Sequence, residues 1–208
     1  MTQRGKFISI EGTEGVGKST GLATIAEEVV KSGRKVVITR EPGGTPTGER
    51  IRALLLDKTE QQMTPLTELL LMFAARSQHV ETVIEPALAR GDWVVCDRFT
   101  DSSYAYQGGG RLLGESVVAK LEALVLGDLR PDLTIILDID VGEGLQRAAT
   151  VSTADRFEAE ELEFFERVRT AFVTRAASDD RFKLVDASRS LGEVKQEIAE
   201  LVKEITGQ

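Results

Sequence analysis

Residues 12–19, which read Gly-Thr-Glu-Gly-Val-Gly-Lys-Ser, restrict the possible fold of this chain more than any other segment. They follow the apolar segment 7–11 and precede a segment, 22–30, whose apolar residues recur at helical spacing. The pattern G-x-x-x-x-G-K-S/T between a strand and a helix is typical of loops that bind nucleotide phosphates. Its glycines let backbone N–H groups converge on phosphate oxygens, and the helix N-terminus adds positive potential. We therefore predict that Gly12, Gly15 and Gly17 shape a nucleoside triphosphate site.

Further residues complete this predicted donor site. Lys18 is expected to reach the β and γ phosphates, the Ser19 hydroxyl can bind Mg²⁺, and Thr20 follows them in the helix. A second group on the metal side is expected from an acid that ends an apolar strand. Asp97 does so after Val-Val-Cys, and Asp138 ends a similar segment. The sequence favours Asp97 and leaves Asp138 open.

Short apolar segments alternate with helix-length segments along the rest of the chain. This alternation predicts strands joined by crossover helices, and hence a parallel sheet covered on both faces. We predict an α/β protein of three layers with five parallel strands, in a single domain over residues 1–208. The predicted strands are 7–11, 36–39, 93–97, 133–138 and 182–186.

Three other segments have distinct expectations. A helical pattern runs over residues 66–90, where Pro86 should break or kink the helix and Gly91 should end it. Residues 41–47 contain two prolines and two glycines and are expected to form a loop. Residues 148–155 are small, polar and aperiodic, and we interpret them as the centre of a short mobile lid at about 147–157.

Composition excludes several classes of protein. Lys and Arg number 26 against 34 Asp and Glu, a net charge of −8, so a surface for duplex nucleic acid is not expected. The single cysteine excludes an intramolecular disulfide framework and fits a reducing compartment. No apolar run approaches the ~18 residues of a membrane span, and Glu11 interrupts the apolar segment nearest the N-terminus. We expect a cytoplasmic protein with no membrane partner.

Triphosphate binding leaves three classes open: a kinase, a GTPase switch, and an ATPase motor or regulator. The chain contains no asparagine, so it cannot carry the N-K-x-D segment with which guanine-specific switches usually read the base. Its single histidine, His79, is followed by Val80 and cannot belong to the H-R-D loop of protein kinases. These absences disfavour a GTPase switch and a protein kinase, and they leave another kind of kinase and a regulatory ATPase open. We interpret His79 and Cys96 as structural residues.

Three segments, together with the phosphate loop, carry a resemblance to one family. They are Arg-Glu-Pro-Gly-Gly-Thr at 40–45, Phe-Ala-Ala-Arg at 73–76, and 97–111, which runs from Asp-Arg-Phe to Gly-Gly-Gly-Arg. Over nearly its whole length the chain resembles bacterial thymidylate kinase. The resemblance implies a P-loop nucleoside monophosphate kinase fold, a homodimer, and transfer of the γ-phosphoryl group of ATP to dTMP with Mg²⁺, giving dTDP. A kinase for another nucleoside monophosphate is the nearest alternative.

The resemblance also assigns a pocket for the acceptor base. The family's matching phenylalanine and arginine imply that Phe73 stacks on thymine and that Arg76 donates to its O4. Arginine has only donors, so it suits a keto group and would face the amino group of cytosine with another donor. Ser103 and Gln107 match polar contacts to the thymine edge, and Tyr106 matches a tyrosine beneath the sugar.

For the acceptor phosphate the resemblance points to Arg98, Arg52 and Arg40, whose guanidinium groups suit phosphate oxygens. Pro42 matches a proline of special conformation in the family, and whether the bond before it is cis is left open. Glu14 is a carboxylate inside an anion-binding loop, so we expect it to face the acceptor. In the family this position serves the 3′-hydroxyl of dTMP or a metal-bound water.

The predicted lid offers two arginines at its ends, Arg147 and Arg156, and no basic residue between them. Arg147 is assigned to the donor nucleotide. Arg156 matches the family's lid motif better, and we expect it to stabilise charge in the transition state, alongside Lys18, Arg98 and Glu14.

Overall fold

The computed structural model describes residues 4–57, 63–150, 156–157 and 160–207. Within these ranges five strands form one parallel sheet in the order β2-β3-β1-β4-β5, which confirms the predicted architecture. The strands are β1 Phe7–Gly12, β2 Val36–Arg40, β3 Trp93–Asp97, β4 Leu133–Asp138 and β5 Phe182–Asp186.

Helices connect the strands and cover the sheet. The α-helices of the described residues are α1 Lys18–Lys31, α2 Pro46–Leu56, α3 Pro65–His79, α4 Glu85–Ala89, α5 Thr100–Ser103, α6 Glu115–Leu126, α7 Val141–Ala149, α8 Leu162–Ala176 and α9 Leu191–Thr206. Two segments form wider, π-helical turns, Val80–Ile84 and Tyr104–Gly110.

The helical pattern at 66–90 changes type where the sequence places its proline. The α-helix ends at His79, a π-helical turn covers Val80–Ile84, and Pro86 lies at the start of α4. Proline has no N–H to donate and its ring crowds the carbonyl four residues earlier, so a widened turn before it relieves the clash. Gly91 adopts φ 85° just beyond the helix, as the predicted end requires.

Both faces of the sheet are buried by helices. On one face, Ile25 of α1 and Ile198 of α9 pack against apolar side chains of β1 and β4. On the other, Phe7 and Val94 pack with Ile84 and its neighbours. A strand that is covered on both sides needs apolar residues at successive positions, which explains the uninterrupted apolar segments of the sequence.

The strand order brings the predicted site residues to one edge of the sheet. β1 lies between β3 and β4, and Ile10 pairs with Asp97 while Gly12 pairs with Leu137. After β1 the chain runs to β2 on one side of β1, whereas after β3 it crosses to β4 on the other side of β1. The carboxyl ends of β1 and β3 therefore flank a topological switch point. Ligands of open α/β sheets bind in the crevice at such a point.

One predicted feature, the lid, includes residues outside the described ranges. Of the lid expected at 147–157, residues 151–155 lie outside the described residues, and α7 includes residues 147–149. The single-domain assignment stays a prediction. Within the described ranges, no helix combines the length and apolar character needed to cross a membrane.

Candidate active site

A cavity of about 430 Å³ opens at the carboxyl ends of β1, β2 and β3. It joins the glycine-rich loop to the segments that carry the family resemblance. The predicted site residues that line it are Glu14, Gly15, Gly17, Lys18, Ser19, Pro42, Arg52, Arg76, Asp97, Arg98, Ser103, Tyr106, Gln107 and Arg147.

The loop after β1 has the conformation that phosphate binding requires. Gly12 and Gly15 adopt φ values of 134° and 72°, in the region that L side chains rarely enter. A Cβ on Gly12 would lie 2.4 Å from the carbonyl oxygen of Leu137, and one on Gly15 would lie 1.9 Å from that of Gly144. The two glycines are therefore needed for both conformation and space, and they aim the loop's N–H groups and the start of α1 at the cavity.

Lys18 is held inside this loop. Its Nζ donates to the carbonyl oxygens of Gly12 and Thr13 at 3.2 and 2.6 Å. Burial, followed by the nearby positive charge of Arg98, lowers the pKa of Lys18 to about 8. A bound polyphosphate would reverse this effect, because negative charge beside an ammonium group favours its protonated form.

The two acids that end neighbouring strands have different partners. Asp138 accepts two hydrogen bonds from Arg169, at 2.8 and 2.9 Å, and does not line the cavity. Asp97 lines it together with Ser19, and its buried Oδ1 has no hydrogen-bond partner among the described residues. The arrangement favours Asp97 over Asp138 as the acid that faces a bound nucleotide.

The same orphaned oxygen fits a magnesium ion. No group of three or more His, Cys, Asp or Glu side chains that could hold a metal occurs in the described part of the chain. Mg²⁺ usually takes one or two protein oxygens and completes its shell with water and substrate phosphates. The carboxylate of Asp97 and the hydroxyl of Ser19 match that pattern.

Arg98 follows β3 in a strained conformation. Its φ is 68°, and a non-glycine residue in this region costs about 1–3 kcal/mol. Its guanidinium donates to the carbonyl oxygen of Gly12 at 2.9 Å, to Ser102 at 3.1 Å and to Glu14 at 3.1 Å. The turn directs the guanidinium into the space between the phosphate loop and the acceptor side of the cavity.

Glu14 faces the cavity, as the sequence predicted. The hydroxyl of Tyr106 donates to both of its carboxylate oxygens, at 2.7 and 2.9 Å, and Arg98 is its ion-pair partner. Burial raises the pKa of Tyr106 well above its ordinary value, with a further contribution from the Glu14 carboxylate, so the hydroxyl stays a donor. The acid of the loop is thereby joined to the residue expected beneath the acceptor sugar.

Arg76 is buried at the opposite wall. Its Nη1 donates to the Ser103 hydroxyl at 3.0 Å and its Nη2 to the carbonyl oxygen of Phe99 at 3.1 Å, while its guanidinium lies 4.6 Å from the ring centre of Phe73. Its ion-pair partner is Glu41, at 2.7 Å. Pro42 follows Glu41 through a cis peptide bond.

The expected contact of Phe73 with the base stays a prediction. Phe73 is 2% exposed, does not line the cavity and packs in a cluster with Leu69, Tyr104 and Val118. Met72 lines the cavity. Residues three and four apart on an α-helix share a face, so Met72 and Phe73 both lie on the side of α3 that carries Arg76.

Arg40 also lies outside the cavity. It is exposed at the end of β2 and pairs with Glu49 at 2.8 Å, because side chains alternate between the two faces of a strand. Its role in binding the acceptor phosphate stays a prediction. Arg52 does line the cavity and donates to the carbonyl oxygen of Pro42 at 3.0 Å.

Arg156 is held away from the cavity lining. Its Nε donates to the carbonyl oxygen of Leu55, and its Nη2 pairs with Glu68, both at 2.7 Å. Glu68 is fully buried and also accepts from Gln107 at 2.8 Å and from Arg111. One carboxylate of α3 thus connects Arg156 with an amide of the acceptor side.

A second cavity of about 230 Å³ adjoins the first across Gly17 and Arg147. Thr20 lines this cavity and not the first one. Gly12 lines neither, and its role is to shape the loop. Besides these residues, the walls of the second cavity include Ala187, Arg189, Leu191 and Lys195.

Sequence analysis missed Glu41, Glu68 and Met72. The first two had a usable signal, since Glu41 directly follows a strand and Glu68 interrupts an apolar helical pattern. An acid in such a position needs a buried partner. Met72 could have been found from its spacing of four to Arg76.

Glu11, beside the loop, is a buried acid with a shifted pKa. It accepts from the N–H of Phe99 and the hydroxyl of Ser102, at 2.7 and 2.6 Å. Burial and the negative charge of Asp101 raise its pKa from 4.5 to about 8. Between pH 4.5 and about pH 8, Glu11 keeps its proton in the folded protein and loses it in the unfolded chain. The free energy of unfolding of the wild type therefore falls as pH rises through this range.

We expect Glu11→Gln to remove this pH dependence. Relative to wild type, the free energy of unfolding of the variant should increase as pH rises from about 5 to about 8, and this relative gain should then level off. Urea unfolding at several pH values measures it. Glu81→Gln, at an exposed position, is the control and should show no such trend. A difference that is independent of pH would contradict the assignment.

The fold and the cavity place this chain among the P-loop kinases that act on a small phosphorylated acceptor, since the phosphate loop shares its cavity with Arg52, Arg76, Arg98 and Arg147. A model of the thymidylate kinase family matches residues 10–198. The chain is 57% identical over 199 residues to the thymidylate kinase of Pseudomonas fluorescens strain SBW25, covering 95% of each protein. The identity is 50% over 202 residues to that of Alcanivorax borkumensis strain SK2, covering 97% of each. The crystal structure of thymidylate kinase from Ehrlichia chaffeensis matches with a TM-score of 0.79 and 32% identity, covering 96% of this chain and 99% of that one. This chain belongs to the thymidylate kinase family.

Proposed function

We infer that this protein transfers the γ-phosphoryl group of ATP to dTMP and releases dTDP and ADP. The observation that carries this proposal is the cavity of about 430 Å³ that both the phosphate loop and a buried arginine, Arg76, line. Family membership supports ATP as donor and dTMP as acceptor. The proposal includes Mg²⁺, held by Asp97 and Ser19 as argued above.

The acceptor side suits a pyrimidine with a keto group at position 4. Arg76 uses three of its five N–H groups on Glu41, Ser103 and Phe99, which leaves one on each terminal nitrogen for a ligand. Donors match the 4-keto oxygen of thymine or uracil and oppose the 4-amino group of cytosine. Discrimination between dTMP and dUMP should be modest, because one methyl group is worth only ~1–3 kcal/mol.

The orientation of Gln107 agrees with this choice of base. Its Nε2 donates to the carboxylate of Glu68, so its carbonyl oxygen is the end left to accept from a ligand. Thymine has an N–H at position 3, whereas cytosine has an acceptor there. Arg76 and Gln107 together therefore offer a donor and an acceptor in the order that thymine requires.

The donor's base is assigned to the second cavity. This cavity borders Thr20 of α1 on the side of the phosphate loop away from Arg76, and Arg147 and Arg189 are in its walls. A triphosphate bound along the loop would cross from one cavity to the other. The acceptor phosphate is assigned to Arg98 and Arg52.

No general base is required for the transfer. The second pKa of a phosphate monoester is about 6, so the acceptor is largely dianionic at neutral pH and its oxygen attacks without losing a proton. The chain positions the two phosphates in line and neutralises charge with Lys18, Arg98 and the N–H groups of the loop. When bound, Mg²⁺ adds positive charge at the transferred group.

Arg156 is proposed to stabilise charge in the transition state, for which it has to exchange Glu68 for the phosphoryl group. We expect Arg156→Ala to lower kcat about 100-fold or more, because charge developing in the transition state loses a donor. The KM for ATP should change less than about threefold, since that charge is absent from the ground state. Steady-state assays with ADP release as readout measure both.

Arg111→Ala is the matched control, because Arg111 also pairs with Glu68, at 3.2 Å, and does not line the cavity. A loss of kcat confined to Arg156→Ala supports the catalytic role. Equal losses in both variants would show that Arg156 acts only by neutralising Glu68.

The function itself is tested by ADP release with dTMP, dUMP, dCMP, dAMP or no acceptor. The proposal expects dTMP to be preferred and hydrolysis without acceptor to be slow. Preference for dCMP or dAMP would indicate another nucleoside monophosphate kinase, and hydrolysis independent of acceptor would indicate a regulatory ATPase.

The assembly and the location are proposed from one exposed helix face and from the cysteine content. A homodimer through α3 is favoured by Leu66 and Leu70, which are one turn apart and 48% and 49% exposed. A cytoplasmic location is favoured by the single, buried and unpaired cysteine.

A further inference from the structure

A chain of buried hydrogen bonds connects β2 with Arg76. The Oε2 atom of Glu41 accepts from Nε of Arg76 at 2.7 Å, and its Oε1 accepts from Nδ1 of His79 at 2.9 Å. On the other side of the imidazole, Nε2 lies 2.6 Å from the hydroxyl of Thr39. Because an ionised carboxylate can only accept, Nδ1 of His79 carries the proton, and in that tautomer Nε2 accepts from the hydroxyl.

Glu41 determines how the guanidinium of Arg76 is oriented. It is the single carboxylate that pairs with Arg76 among the described residues, and both side chains are almost completely buried. Its bond to Nε leaves the terminal nitrogens facing Ser103, Phe99 and the cavity. A rotated Glu41 would leave a buried positive charge without its partner, which is costly.

His79 is placed to prevent that rotation. Its side chain is fully buried, and it contacts the second oxygen of the same carboxylate. The loop after Glu41 closes over the ring, since a Cβ on Gly44 would lie 2.5 Å from Nε2 of His79 and 2.8 Å from the Thr39 hydroxyl. The imidazole therefore has one position, between Thr39 and Glu41.

We propose that His79 is a positioning residue for the acceptor base: through Glu41 it holds Arg76 in the orientation that donates to the 4-keto oxygen. His79 does not line the cavity and acts through its neighbours. This inference rests on the proposed function, and it replaces the interpretation of His79 as a packing residue.

Three substitutions separate the two hydrogen bonds of the ring. The amide of His79→Asn can place an N–H near the position of Nδ1 and keep the bond to Glu41. The longer side chain of His79→Gln reaches the position of Nε2, towards Thr39, and loses the bond to Glu41. His79→Leu loses both. The readouts are kcat, the KM for dTMP, the KM for ATP, and the ratio of kcat/KM for dTMP over dCMP.

We expect His79→Gln and His79→Leu to raise the KM for dTMP about tenfold, the size of effect that a hydrogen bond to a charged group supports. The dTMP over dCMP ratio should fall with it, and the KM for ATP should stay within about twofold, because the donor site is formed by other residues. His79→Asn should remain within about threefold of wild type for dTMP. Arg76→Ala sets the upper limit of the effect.

Two controls keep the test decisive. Val202→Ala creates a cavity on the α9 side of the sheet, and it should lower the melting temperature without raising the KM for dTMP. Thr39→Val removes the hydroxyl that contacts Nε2 of His79, and it too should raise the KM for dTMP. This variant keeps the test available if His79→Leu does not fold.

The inference is overturned if all three His79 variants lose activity equally, if the KM for ATP rises in parallel, or if Thr39→Val and His79→Gln both match wild type. Wild-type protein that does not phosphorylate dTMP would instead contradict the proposed function. The two failures are therefore distinguishable.

Discussion

Replacing Lys18 with alanine is expected to lower kcat for dTMP phosphorylation about 1000-fold, at the upper end of what one positioned charge contributes. Lys18 is the ammonium group of the phosphate loop, where its Nζ is held by the carbonyl oxygens of Gly12 and Thr13. Without this ammonium group, the loop no longer places a positive charge beside the negative charge that develops on the transferred phosphoryl group. Coupled assays at saturating ATP measure the effect on turnover, and a titration with ATP measures the effect on binding.

Lys31→Ala is the matched control, since Lys31 ends the same helix and is exposed, with Glu28 as its partner. It should leave kcat unchanged.

The pKa of about 8 for Lys18 leads to a further prediction for the wild type. As pH rises above 8 the free enzyme loses this charge, so its affinity for ATP should fall, and the fall should be absent from Lys18→Ala. Lys18→Ala with wild-type kcat would remove Lys18 from the mechanism.

Replacing Asp97 with asparagine is expected to lower kcat about 100-fold at physiological Mg²⁺, within the range for loss of one electrostatic group. Asp97 lines the cavity beside Ser19, and its buried Oδ1 has no hydrogen-bond partner among the described residues. An amide of the same shape keeps the packing and removes the negative charge. Activity measured against Mg²⁺ concentration should show a shift of the midpoint to higher values.

Asp138→Asn provides the comparison, because Asp138 ends the neighbouring strand in the same way but is paired with Arg169. We expect it to reduce the free energy of unfolding and to leave the Mg²⁺ midpoint near that of wild type. The opposite result, with the shifted midpoint in Asp138→Asn alone, would exchange the two assignments.

Much of the fold follows from local patterns. Gly12, Gly15 and Gly17 were recognised from the G-x-x-x-x-G-K-S/T pattern. All three adopt positive φ values, and at Gly12 and Gly15 a Cβ would also meet backbone atoms, so the constraint shows in the residue type. The strands Trp93–Asp97 and Leu133–Asp138 were found to the residue, since a strand buried on both faces must be apolar at successive positions. The helical pattern at 66–90 was correct in extent and its interruption near Pro86 was expected, but the π-helical turn between α3 and α4 was not predicted.

Side-chain direction is the part of the site that the motifs leave open. Phe73 and Arg40 both belong to segments that carry the family resemblance, yet one packs in the core and the other pairs with Glu49 at the surface. Motif matching identifies a segment, whereas a shift of one residue on a helix or strand turns the side chain to another face. Met72, one residue before Phe73, lines the cavity.

The sequence by itself determined the phosphate loop and the parallel sheet, because each depends on residue type and spacing within short segments, whereas the acceptor pocket was implied by the resemblance to the family. Only the tertiary structure decided which acid has a free oxygen, which arginines reach the cavity, and that Glu41 and Glu68 hold Arg76, Gln107 and Arg156. These are contacts between residues far apart in the chain, from 35 positions for Glu41 and Arg76 to 88 for Glu68 and Arg156. Their partners are selected by the packing of helices on the sheet, which no local pattern encodes.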